Sequence, residues 1–161
     1  MKLSVKILAV LSSIVLLAAC ETKPNGSSGN EGSGMMTTDR EGRQVSTIAP
    51  GVSDRVFFDY DSSVITAEGE GTLQKQADYL KSHSSVNVTI EGHCDERGTR
   101  EYNLALGERR ATAAKNYLVS LGVDASRVQT ISYGKERPAV VGDDESAWAQ
   151  NRRAVTVKAI Q

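Results

Sequence analysis

The chain has 161 residues, with 19 Lys and Arg against 20 Asp and Glu and a formal net charge of −1 at pH 7. This length suffices for one compact domain. A charge so close to zero argues against a general affinity for nucleic acid, which needs an excess of basic residues.

Residues 1–19 have the features of an export signal. Lys2 and Lys6 supply a positive start, the apolar run ILAVLSSIVLL covers residues 7–17, and two alanines follow. The run is shorter than the roughly 20 residues that a membrane-spanning helix needs. We therefore expect a signal peptide that is cleaved.

Cys20 follows the signal directly, and the sequence LAAC at residues 17–20 resembles the lipobox of bacterial lipoproteins. This resemblance implies acylation of Cys20 and cleavage just before it; an ordinary signal peptide with an incidental cysteine is the alternative. Glu21 is not the aspartate associated with inner-membrane retention, which favours the outer membrane and its periplasmic face. Once Cys20 is lipidated, Cys94 has no internal disulfide partner.

The sequence predicts a flexible tether after the lipidated cysteine, so that residues 20–50 link the lipid to a domain covering residues 51–161. From 21 to 43 the chain is rich in Gly, Ser, Asn and charged residues and has no apolar period. About 30 residues of random coil span on the order of 30 Å. The domain could therefore stand well away from the membrane.

Regular apolar patterns begin after Pro50. Strands are predicted at residues 55–59, 86–91, 127–133 and 154–159, and helices at 66–82, 100–121 and 144–151. Thr66 is a helix cap, Gly122 ends the second helix, and an apolar stripe along that helix includes Leu104, Gly107 and Ala111. This order predicts an α+β two-layer sandwich, a mixed four-stranded sheet with helices packed on one face.

The segment EGHCDERGTREYNLALGERR, residues 91–110, concentrates His, Cys, Asp, Glu and Arg. His93, Cys94 and Asp95 suggest a metal site or a nucleophile, but adjacent side chains on a strand end point in different directions, which suits neither. The simplest interpretation of the charged residues in this segment is a solvated loop followed by a solvent-exposed helix face. An amidase that uses Cys94 and His93 is the enzymatic alternative, and we expect no enzyme and no metal.

A longer pattern favours a binding site. Its blocks are VFFDYDSS at 56–63, EGHCDERGTREYN at 91–103, LGERRA at 106–111, SYGKERP at 132–138 and NRRAV at 151–155. In this order they resemble the C-terminal peptidoglycan-binding domain of the OmpA-like family. The resemblance implies a non-enzymatic module without a cofactor that binds the meso-diaminopimelate stem peptide. It also implies an outer-membrane lipoprotein that tethers this membrane to the cell wall, with TolB and other Tol proteins as partners in envelope integrity and cell division.

The resemblance also implies how the site works. The free end of diaminopimelate carries an ammonium, which Asp95 would accept, and a carboxylate, which the planar fork of Arg110 would bind. The complete set of peptidoglycan-binding residues it implies is Phe58, Asp59, Asp95, Arg97, Thr99, Asn103, Leu104, Arg110 and Arg153. His93 is expected to be structural, Gly98 to be a turn residue, and Cys94 to be buried because an exposed thiol is a liability in an oxidising compartment.

Overall fold

A computed structural model describes residues 35–38 and 44–159. The predicted signal peptide, Cys20 and most of the predicted tether lie outside these residues. In chain order the elements are β1 (Met35–Thr38), β2 (Gln44–Ala49), β3 (Val52–Ser53), β4 (Arg55–Phe57), α1 (Ala67–Ser82), β5 (Val88–His93), α2 (Arg100–Ser120), the 3-10 helix η1 (Ala125–Arg127), β6 (Val128–Gly134), α3 (Glu145–Asn151) and β7 (Arg153–Lys158).

The main sheet has four strands in the order β4-β7-β5-β6. β5 and β6 are parallel and are connected through α2, whereas β7 runs antiparallel to both β4 and β5. Parallel neighbours require a crossover, which α2 provides. The predicted α+β sandwich with a mixed four-stranded sheet is confirmed.

The hydrophobic core lies between this sheet and the helices α1 and α2. It contains Val56, Phe58, Leu73, Ala77, Leu80, Val88, Ile90, Ala111, Ala114, Leu118, Val123, Val128 and Ala154. Along β5 the buried Val88 and Ile90 alternate with half-buried Thr89 and Glu91, as expected when one face of a strand meets the helices. Leu73, Ala77 and Leu80 are the residues of α1 that face this core.

Capping residues set the helix bounds. Thr66 Oγ1 accepts a hydrogen bond from the Gly69 amide at 3.1 Å, and Thr99 Oγ1 accepts one from the Tyr102 amide at 3.2 Å. Gly122, which follows α2, has a φ of 92°, a conformation that glycine adopts without strain. Both predicted helix ends are therefore confirmed to within one residue.

The stripe predicted along α2 is correct at the buried Gly107 and Ala111 and wrong at Leu104. Leu104 is 43% exposed, while Asn103 and Arg110 are buried and face inward together with Leu106 and Gly107. Hydrophobicity alone placed Leu104 inside because it treats Asn103 and Arg110 as surface residues. These two polar side chains are buried because backbone carbonyl groups accept their hydrogen bonds.

β5 and α2 come into backbone contact at two glycines. A Cβ atom on Gly92 would overlap the carbonyl oxygen of Gly107, and a Cβ atom on Gly107 would overlap the hydroxyl of Ser132 on β6. That hydroxyl donates to the Leu104 carbonyl at 2.7 Å. The absence of side chains at this crossing fixes the distance between the strand end and the helix, and hence the shape of the loop between them.

Regular structure begins earlier than the sequence predicts. β2 lies within the predicted tether, pairs with β1 and β3 in a three-stranded antiparallel sheet, and contributes the buried Ile48. The prediction of an unstructured segment up to Pro50 is wrong at these strands, because QVSTIA contains three β-branched residues that favour a strand. No helix within the described residues is long and apolar enough to cross a membrane.

Candidate functional site

A small pocket opens where the chain leaves β5 and enters α2. The loop after β5, the turn after β4 and the first three turns of α2 form its walls. The lining residues are Tyr60, Asp61, Cys94, Asp95, Arg97, Gly98, Tyr102, Asn103, Leu106 and Arg110. The pocket therefore contains Asp95 and Arg110, the two residues predicted to bind opposite charges.

Arg110 is fully buried at the base of this pocket, with 0% of its surface exposed. Its guanidinium donates three hydrogen bonds to backbone carbonyl oxygens: Nε to Ser62 at 2.8 Å, Nη1 to His93 at 2.9 Å and Nη2 to Asp59 at 3.1 Å. These bonds join the turn after β4 to the end of β5. The side chain is thus held in one orientation before any ligand arrives.

The charge of Arg110 has no carboxylate partner in the described part of the chain: none of its acids lies within 4.0 Å of the guanidinium. Burial lowers the pKa of Arg110 because the charged form loses its hydration. The buried Phe58 ring lies 5.2 Å from the guanidinium carbon and does not line the pocket. A buried cation of this kind is a ready site for an anion.

Asp95 is also buried, with 5% of its surface exposed. Its carboxylate accepts two side-chain hydrogen bonds from Arg97, at 3.1 and 2.6 Å, and one from the Arg97 amide at 3.1 Å. Arg152 Nη1 lies 3.6 Å from the same carboxylate. Burial alone would raise the pKa of Asp95, but the bonds from Arg97 outweigh it and hold that pKa below its usual value. Asp95 is therefore an anion at neutral pH.

The loop between Asp95 and α2 is tied down at several points. Asn103 Nδ2 donates to the carbonyl groups of Arg97 and Thr99 at 2.7 and 3.0 Å, and Lys135 Nζ donates to those of Glu96 and Gly98 at 2.9 and 2.7 Å. Gly98 has a φ of 89° and makes the turn that the sequence predicts. The pocket wall is consequently preorganised.

Of the nine predicted binding residues, Asp95, Arg97, Asn103 and Arg110 line the pocket. Phe58 packs beneath Arg110, and Asp59 supplies a backbone carbonyl to it. Thr99 caps α2 and Leu104 is exposed outside the pocket. The structure thus brings four of the predicted side chains together and places two others in support of Arg110.

Arg153 lies elsewhere. On β7 it is in register with His93, on the sheet face opposite that of Ala154, whose side chain is in the helix-covered core. Burial lowers the pKa of Arg153 to about 10, and its Nη2 donates to the Arg137 carbonyl at 3.3 Å. The structure does not place this side chain in the pocket.

Four pocket residues were not predicted from the sequence: Tyr60, Asp61, Tyr102 and Leu106. The hydroxyl of Tyr102 donates a short hydrogen bond to the Asp61 carboxylate, which links α2 to the turn after β4. Both tyrosines are exposed. The signal that could have found them is the clustering of aromatic and acidic residues in the blocks VFFDYDSS and EGHCDERGTREYN, where exposed aromatic side chains often mark a binding surface.

His93 and Cys94 do not form a catalytic pair. The His93 ring lies 5.6 Å from the Tyr133 ring and 3.6 Å from Glu91, whereas the buried Cys94 thiol donates to the Asn103 carbonyl at 3.3 Å. Burial raises the pKa of Cys94, so the thiolate is disfavoured. The predicted burial of Cys94 is confirmed. The described residues contain no cluster of three or more His, Cys, Asp or Glu that could hold a metal ion.

His93 should make stability depend on pH. Burial, with the nearby charge of Arg153, lowers its pKa from 6.5 to about 3. Between these values the unfolded chain binds a proton that the folded chain does not, so stability is lost as the pH falls below 6.5. We expect the unfolding free energy to fall by about 1.4 kcal/mol from this residue between pH 7.5 and 5.5, measured by urea denaturation.

The variant His93→Gln tests this prediction, and His83→Gln is its matched control. His93→Gln should reduce the pH dependence in that interval, whereas replacing the exposed His83 should leave it unchanged. Equal pH dependence in the wild type and in His93→Gln would contradict the prediction.

Comparison with known proteins identifies the family. The fold is that of an OmpA-like domain: the model of the OmpA family matches residues 57–153, and the chain belongs to this family. A peptidoglycan-associated lipoprotein from Agrobacterium fabrum is 53% identical, with 88% of this chain and 80% of that protein covered. The resemblance seen in the sequence is confirmed.

Solved structures agree with this assignment. The crystal structure of the peptidoglycan-associated lipoprotein from Burkholderia pseudomallei has a TM-score of 0.66 and 46% identity, and covers 70% of this chain and 95% of its own. The cell wall anchor of the T6SS from Pseudomonas aeruginosa has a TM-score of 0.55 and 28% identity, with coverage of 65% and 76%.

Proposed function

We propose that the chain is an outer-membrane lipoprotein that binds peptidoglycan non-covalently through the pocket between Asp95 and Arg110. The ligand would be the free end of a meso-diaminopimelate stem peptide, whose ammonium faces Asp95 and whose carboxylate faces Arg110. Acylation of Cys20 would hold the other end of the chain in the outer membrane. The protein would then tether this membrane to the cell wall.

The observation that carries the proposal is the buried, unpaired charge of Arg110. A guanidinium has five N–H donors, and the backbone carbonyl groups of Asp59, Ser62 and His93 occupy three of them. A carboxylate entering the pocket would supply both the missing hydrogen-bond acceptors and the missing counter-charge. Arg110 is thus arranged to bind an anion strongly.

The names of related proteins support the same function. The relatives named above are peptidoglycan-associated lipoproteins, and one similar structure is described as a cell wall anchor. By this similarity we extend the proposal to TolB and other Tol proteins as partners, and to roles in envelope integrity and cell division. A pull-down with purified TolB tests that extension separately, and no capture at micromolar concentration would count against it.

The binding proposal is tested by calorimetric titration of residues 21–161, the chain without its signal peptide and lipidated cysteine. A diaminopimelate stem peptide should bind, and its lysine counterpart, which lacks the second carboxylate, should bind more weakly because it leaves Arg110 unpaired. An amidated diaminopimelate should behave like the lysine peptide. Equal affinity for all three peptides would contradict the assignment of Arg110 as a carboxylate site.

Asp95→Asn should weaken binding of the diaminopimelate peptide by about 2 to 5 kcal/mol, the range for breaking a desolvated charge pair. That range applies, and not the smaller one for exposed pairs, because Asp95 and Arg110 are both buried. Asp124→Asn is the matched control, since Asp124 caps η1 outside the pocket. Asp95→Asn with wild-type affinity would count against the ammonium site.

Cys94→Ala separates a binding module from an amidase. The buried thiol donates to the Asn103 carbonyl and burial raises its pKa, so we expect it to stay protonated and this variant to retain peptide binding. Release of cleaved stem peptide by the wild type, lost in Cys94→Ala, would overturn the proposal and support an enzyme.

A further inference from the structure

The carboxylate proposed to receive the ligand's ammonium is already occupied by a cation of the protein itself. Arg97 Nε and Nη2 donate to the two oxygens of Asp95 at 3.1 and 2.6 Å, and the Arg97 amide adds a third bond at 3.1 Å. A carboxylate offers about four acceptor positions. With Arg152 Nη1 at 3.6 Å, little capacity remains for a ligand while Arg97 stays in place.

Two aromatic rings hold the Arg97 guanidinium in this position. Its central carbon lies 4.0 Å from the ring centre of Tyr60 and 4.0 Å from that of Trp148. Stacking of this kind is favourable for arginine, whose planar cation is weakly hydrated. The Trp148 indole is itself fixed, because its N–H donates to the Glu96 carboxylate at 3.1 Å.

A second carboxylate lies within reach of the same guanidinium. Glu145 Oε2 is 3.9 Å from Arg97 Nη2, and Glu145 Oε1 accepts a bond from Arg152 at 2.5 Å. The Glu145 side chain is largely exposed and the Arg97 side chain is partly exposed. Arg97 can therefore exchange Asp95 for Glu145 without losing its ionic partner and without leaving the surface.

We infer that Arg97 is an internal competitor for the ligand's ammonium and thereby determines which ligands the pocket accepts. It holds Asp95 in the empty pocket and moves toward Glu145 when a ligand ammonium enters. An anion without an ammonium could meet Arg110 but could not displace Arg97. This inference rests on the function proposed above, because Arg97 acts at the proposed binding site. It adds to that function a selectivity for zwitterionic ligands.

The test is calorimetric titration of residues 21–161 and its variants with the diaminopimelate stem peptide at pH 7.5. Arg97→Gln should bind about 5-fold more tightly than the wild type, the upper end for release of a partly exposed ion pair. Arg97→Lys keeps the charge but not the planar fork, and should lie between the two. Arg100→Gln removes an equal charge from an exposed residue outside the pocket and should bind like the wild type.

The single tryptophan of the chain gives an independent readout. Saturating peptide should change Trp148 emission in the wild type and in Arg100→Gln, because Arg97 leaves the indole face, and should change it less in Arg97→Gln. The competitor role of Arg97 would be disproved if both Arg97 variants bound the peptide no more tightly than the wild type. It would also be disproved if the emission change in Arg97→Gln equalled that of the wild type. Either result would leave the proposed binding site intact. A wild-type chain that does not bind the peptide would instead remove the proposed function, and the competitor with it.

Discussion

Replacing Arg110 by methionine is expected to destabilise the fold and to abolish recognition of the ligand carboxylate. The substitution removes the Arg110 donors from the carbonyl oxygens of Asp59, Ser62 and His93. The Asp59 oxygen keeps its bond from the Ser62 amide at 3.3 Å, and each buried group left unsatisfied costs about 1 to 3 kcal/mol. Removing a buried charge offsets part of this loss. We expect the unfolding free energy to fall by about 2 to 4 kcal/mol.

The binding effect of Arg110→Met should be as large. Loss of the desolvated cation should weaken the diaminopimelate peptide by about 2 kcal/mol or more, a factor of about 30. Arg109→Met is the control: Arg109 is the neighbouring residue on α2, is exposed and lies 5.7 Å from the Tyr102 ring, so its loss should change stability by less than about 0.5 kcal/mol. Equal unfolding free energies and equal peptide affinities for Arg110→Met and Arg109→Met would disprove the role of Arg110 in stability and in binding.

The sequence predicted most of the fold because the apolar positions of α1, β5 and β7 follow simple periods. Thr66 and Gly122 marked helix ends for local reasons that hold in any context. It failed at β2, a short strand that follows a polar stretch of the chain and contains the buried Ile48. No local pattern in the sequence predicts the pairing of β2 with β1 and β3.

The site was predicted by resemblance and only in part by physics. The motif predicted Asp95 and Arg110 as a pair. The acceptors of Arg110, however, are backbone carbonyl groups of residues up to 51 positions away in sequence, and the side chains of those residues do not indicate this role. The contact of Arg97 with Tyr60 and Trp148 likewise joins three separate segments. Tertiary packing decides such contacts, which explains why Leu104 was placed inside and Tyr60 was overlooked.

Among the glycine-to-alanine substitutions in the described chain, Gly92→Ala is expected to be the most damaging. The new methyl group would overlap the carbonyl oxygen of Gly107, which belongs to the backbone of α2 and cannot rotate away. β5 and α2 would have to separate, and overpacking of this kind costs about 1 to 3 kcal/mol or more. We expect a loss of at least about 3 kcal/mol in the unfolding free energy, measured by urea denaturation.

Gly71→Ala provides the opposite result from the same chemical change. Gly71 lies within α1, and nothing is within 4 Å of the position a Cβ would take, so alanine should stabilise the helix by about 0.5 to 1 kcal/mol. Gly92→Ala should also weaken peptide binding in the fraction that still folds, because the crossing at Gly92 and Gly107 sets the loop that carries Asp95. A folded Gly92→Ala variant with wild-type stability and affinity would show that this crossing does not position the pocket.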